Sequence, residues 1–99
     1  MSKAILLVES APASAEDAEA YHRWYDEEHV PEMLALDGVV SARRMVSPDG
    51  ATYIAIYELD ADVEAVRATL SEAQTSGRMS APKGLRFDPP PVVRYFQQF

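Results

Sequence analysis

The chain contains no cysteine among its 99 residues, which excludes disulfide scaffolds, thiolate metal sites and cysteine nucleophiles together. Basic residues are scarce: nine Lys and Arg stand against sixteen Asp and Glu, for a net charge of −7. They are scattered, with Arg43-Arg44 the only adjacent pair, so the clustered cations that phosphate backbones demand are missing. Charge therefore argues against a nucleic-acid partner. No apolar run approaches the roughly 18 residues of a membrane span. The segment Met1-Ser2-Lys3-Ala4-Ile5-Leu6-Leu7-Val8-Glu9 has too short an apolar run for a secretion signal, and a cytoplasmic protein is the expectation. Glycine-rich phosphate loops and serine nucleophile motifs are also missing, and no cofactor is anticipated.

The length fits one domain over residues 1–99, and a core of this size leaves only marginal stability alone, which makes self-association plausible. Its most informative stretch is Tyr21-His22-Arg23-Trp24-Tyr25-Asp26-Glu27-Glu28-His29-Val30-Pro31-Glu32. At about 100° per residue, Ala18, Tyr21, His22, Tyr25, Glu28 and His29 share one helix face. That face holds groups that donate, accept and exchange protons near neutral pH, where a purely structural helix would carry Leu, Ile and Ala.

Residues 3–9 read as a strand that is apolar on both faces. Ser14 and Asp17 resemble a capping box, and the first helix is expected over about 15–29. Pro31 should then kink or stop it, with a short turn restarting through Leu36. Residues 39–46 and 52–59 alternate as strands, and Ser47-Pro48-Asp49-Gly50 between them predicts an antiparallel hairpin. Asp60 or Asp62 can cap a second helix that buries Val63, Val66, Leu70 and Ala73. Residues 75–91 look like a loop, and residues 92–96 like a final strand.

The order is strand, helix, strand, strand, helix, strand. This is the α+β, ferredoxin-like βαββαβ pattern, a four-stranded antiparallel sheet with two helices on one face. Neither face of the hairpin is convincingly polar, so the side away from the helices needs a cover. A homodimer through sheet-to-sheet packing is the expected solution.

The run Trp24-Tyr25-Asp26-Glu27-Glu28-His29-Val30-Pro31-Glu32-Met33-Leu34, followed by Asp37-Gly38-Val39-Val40-Ser41-Ala42-Arg43-Arg44-Met45, resembles the EthD-like group of the dimeric α+β barrel superfamily. That resemblance implies a barrel built from two sheets across a dimer, with a ligand pocket between sheet and helices. It also implies company that includes polyketide cyclases, cofactor-independent quinone-forming monooxygenases, lactone isomerases and haem-degrading enzymes.

His29 is the candidate general base for an enol, phenol or acidic C–H, against the alternative that it braces the helix kink. Tyr25, one turn earlier, can donate a proton or orient the imidazole. Trp24 is a pocket wall or a packing anchor. His22 reads as a partly exposed helix residue. Of Arg43 and Arg44, strand alternation turns one inward, where an acid or an anionic ligand must meet it. Tyr53, Tyr57 and Tyr95 either line a pocket or pack the sheet. Glu27, Glu28 and Glu32 near His29 suggest a metal site, but the proline breaks the needed spacing and no metal is expected. The functional expectation is a cofactor-independent enzyme using acid/base chemistry on an aromatic, polyketide-like or other enolisable substrate, by cyclisation, isomerisation or oxygenation. The alternative is a non-catalytic dimeric protein holding a metabolite in the same pocket.

Overall fold

Alternating apolar residues in the first segment form β1 (Ala4–Ser10), which becomes an inner strand of the sheet. The computed structural model describes residues 3–99. After β1 come α1 (Ala18–Trp24), a π-helical segment (Tyr25–His29) and α2 (Val30–Leu34). Then follow β2 (Val39–Val46), β3 (Tyr53–Leu59), α3 (Val63–Thr75) and β4 (Val92–Gln97). The strand order is β2-β3-β1-β4 with every neighbouring pair antiparallel, as the ferredoxin-like pattern requires.

The sheet is open. Strands β2 and β4 are its two free edges, and no pairing joins them. The dimeric α+β barrel expected from the resemblance is therefore corrected: the four strands form one open layer whose two edges stay unpaired, and the sheet does not curl toward closure.

The first helix also departs from expectation. Ser14 Oγ accepts from the Asp17 amide at 3.2 Å, but this orders a preceding turn, and the α-helix begins only at Ala18. Pro31 does not end it. The Val30 amide reaches back five residues to the Tyr25 carbonyl, opening a wider turn just ahead of Pro31, which then occupies the first turn of α2. In α3, Asp62 takes the N-cap position with extended backbone, though its side chain makes no capping bond.

The core lies between the sheet and the helices. Leu6 from β1, Tyr57 and Leu59 from β3, Tyr21, Met33 and Val66 from the helices are essentially inaccessible to solvent. Each large apolar side chain so buried contributes about 1.5–3 kcal/mol. The register divides the strands cleanly. Ala4, Leu6, Val8 and Ser10 face the helices, as do Ala55, Tyr57 and Leu59 on β3, Ala42 and Arg44 on β2, and Tyr95 on β4. The opposite face carries Ile5, Leu7, Ile54, Ile56, Met45, Val92 and Phe96. Interspersed with them are Glu9, Glu58, Arg43 and Arg94.

Candidate functional site

α1 and the π segment bring most of the singled-out side chains to one spot on the sheet. Tyr21, Trp24 and Tyr25 are buried, and His29 is half-buried among them. The His29 imidazole lies flat on the Trp24 indole, centroids 4.5 Å apart and 19° from parallel. Tyr25 meets His29 edge-on at 5.4 Å, and Tyr57 rises from β3 beneath it at 6.4 Å.

Two polar atoms in this cluster are buried without a hydrogen-bond partner: His29 Nδ1 and the Tyr57 hydroxyl. Such atoms normally find one, because an unmet buried donor or acceptor costs about 1–3 kcal/mol. Burial holds the His29 pKa below its ordinary value, with the Glu32 carboxylate pulling weakly the other way. His29 is thus a neutral base at neutral pH. Burial likewise pushes the Tyr57 and Tyr25 phenols up, so both stay protonated donors.

The Tyr25 hydroxyl is already engaged. Ser10 Oγ, at the end of β1, sits 3.2 Å from it and 2.6 Å from the Tyr21 hydroxyl. Trp24 is anchored at its polar edge: its Nε1–H donates to Ser80 Oγ at 3.1 Å. Ser80 in turn donates from both its hydroxyl and its amide to the Glu32 carboxylate, each at 3.0 Å. The loop after α3 is tied to the site by that chain.

Arg44 is the inward arginine. Its guanidinium stacks 4.5 Å over the Tyr25 ring and 5.5 Å from the Tyr21 ring, with Nη1 donating to Asp26 at 3.1 Å. Its Nη2 lies 3.0 Å from His22 Nδ1. Tyr53 completes this side, 4.9 Å from the His22 ring. Arg43 projects from the other face of the sheet and is exposed, away from the cluster. Tyr95 is separate too, covered by Arg67 at 4.7 Å. Glu28 turns outward to Lys83 at 2.7 Å. Among the described residues, no group of three or more His, Asp and Glu is placed to hold a metal ion.

The fold brings His29, Tyr25, Trp24, Arg44, Tyr53 and Tyr57 into one neighbourhood, while Arg43 and Tyr95 lie outside it. Sequence reasoning passes over Ser10, Glu32 as a tether and Ser80. The serines carry no signal, since each acts through a partner far away in the chain.

Compared with protein-family models, curated proteins and solved structures, the chain finds no match. The resemblance to the EthD-like group is therefore corrected: a shared Trp-Tyr, His and Pro spacing on a helix does not amount to kinship, and the open sheet lacks the barrel that the resemblance implied. What remains is the local chemistry.

Proposed function

We propose that the protein is a cofactor-independent enzyme that moves a proton on a small enolisable substrate. The observation that carries this reading is the pair of buried, unpartnered atoms, His29 Nδ1 and the Tyr57 hydroxyl. His29 would take a proton from a carbon next to a carbonyl. Tyr57 would donate a hydrogen bond to the enolate oxygen, and His29 would return the proton to the substrate, giving an isomer with no net change in atoms. Tyr57 replaces Tyr25 as the expected donor, because Ser10 occupies the Tyr25 hydroxyl. Trp24, held by Ser80, would form the wall against which a flat substrate rests. Admission would require the loop carrying Ser80 to move.

Solvent deuterium exchange into β-tetralone, followed by proton NMR, tests this. Acceleration by the native protein that is lost in His29→Gln is the expected result. Binding of β-tetralone without acceleration would replace this reading with the non-catalytic alternative. Neither binding nor exchange would remove both.

The open sheet face supports a homodimer as the partner. Glu9, Glu58, Arg43 and Arg94 make no ion pair among the described residues, yet they stand among Ile5, Leu7, Ile54, Ile56 and Phe96. A face with both signs of charge around an apolar centre can satisfy a second copy of itself. Sedimentation equilibrium should give a dimer that Leu7→Lys converts to monomer. A native monomer at all concentrations would rule the pairing out.

A further inference from the structure

A second site lies on the Arg44 side of Tyr25, and its argument does not rest on the proton-transfer reading. His22, Arg44, Met45, Val46 and Tyr53 line an open cleft of about 180 Å³. That volume is about the share of six liquid waters, so it admits only a small molecule. Arg44 and His22 are the polar residues of that lining. The Arg44 side chain is 19% exposed, and its guanidinium plane is fixed by the Tyr25 and Tyr21 rings.

The donor count decides what the cleft can take. A guanidinium has five N–H groups; Asp26 and His22 occupy one each, which leaves about three for another acceptor. Because His22 Nδ1 faces an obligate donor, it must be the acceptor, and the ring proton belongs on Nε2. His22, itself a lining residue, then keeps one N–H donor of its own. Desolvation and the neighbouring Arg44 charge both hold His22 below its ordinary pKa, which keeps it in that neutral form.

The remaining lining is apolar: Met45, Val46 and the Tyr53 ring. Asp26 already offsets part of the Arg44 charge, and with a net charge of −7 the protein repels multiply charged anions. A planar fork of donors suits a carboxylate. We infer that the cleft between α1 and the β2 edge binds a small monocarboxylate with a flat apolar body, its carboxylate on Arg44 and His22 and its body against Tyr53 and Val46.

The test is a titration of the native protein with benzoate, followed in amide proton–nitrogen spectra, with neutral benzamide as control. Benzoate should shift the amides of His22, Arg44, Met45, Val46 and Tyr53, and benzamide should bind at least about tenfold more weakly. Arg44→Gln should abolish the benzoate shifts. If that variant does not fold, Val46→Trp decides, because Val46 is half exposed and a larger ring there fills the cleft without disturbing the core. Equal binding of benzamide, shifts scattered over the surface, or shifts that survive Val46→Trp would overturn the assignment.

Discussion

The His29 imidazole and the Trp24 indole are stacked 4.5 Å apart, and the indole is itself pinned through Ser80 to Glu32. The stack desolvates the histidine. Below its unfolded pKa of 6.5, His29 therefore binds a proton more readily in the unfolded chain than in the folded one. His22 is shifted in the same direction. Stability is then fully present above that value and is lost as pH falls through the depressed folded pKa. Urea midpoints taken between about pH 8 and about pH 5 should decline, and His29→Gln should flatten part of the decline. A native profile that is level over this range would contradict the assignment of a buried neutral imidazole.

Tyr57→Phe removes a hydroxyl that has no partner and leaves a ring of nearly the same volume. The variant should be about 1 kcal/mol more stable than the native chain in urea unfolding, and should lose the proposed exchange activity. A loss of stability instead would show that the hydroxyl is satisfied in solution.

Ser80 donates to a different oxygen of Glu32 from its hydroxyl and from its amide, and Glu32→Gln replaces one of those oxygens with an NH2 group that cannot accept. A cost of about 1–2 kcal/mol follows from losing charged hydrogen bonds. Proteolysis within residues 76–91 should accelerate in the variant, while cleavage elsewhere stays slow.

Gly84 and Gly50 both have positive φ, at 68° and 74°. Their surroundings differ. A Cβ on Gly84 would sit 2.6 Å from the Asp17 carbonyl oxygen and 2.9 Å from the Tyr21 amide nitrogen, whereas Gly50 has nothing within 4 Å. Gly50→Ala should cost about 1 kcal/mol, from backbone strain alone. Gly84→Ala should cost more than about 3 kcal/mol, because it pushes the 76–91 loop off the start of α1. Thermal unfolding of the two variants side by side measures the difference.

The element order was legible because alternation and turn residues are local signals, and the strands fall within about one residue of where the pattern puts them. Local signals go no further than that. Alternation shows that one of Arg43 and Arg44 must face inward, but the choice depends on register. Register is set by an irregularity between Val39 and Ser41 that no composition reveals. The unmet Tyr57 hydroxyl is equally invisible in sequence, since it depends on what fails to approach it. The Trp24-to-Pro31 motif lies in helix, but the wide turn inside it and the helix running on past Pro31 were not legible, and its extension to a family and a barrel described nothing in this molecule.

The wide turn at Tyr25–His29 contains one residue more than a regular α-turn, which offsets everything after it by about 100° around the helix. On an unbroken helix, Glu32 would lie under Tyr25 with Glu28 beside it. With the offset, Met33 is buried in the place of Glu32, and Glu28 reaches out to Lys83 while His29 stays on the Tyr25 side. Straightening the turn would drive two carboxylates toward the core. Deleting a residue such as Glu27 would relax it and keep the same side chains facing the sheet. At this point in the molecule the length of the chain, more than the identity of any side chain, determines which groups the site receives.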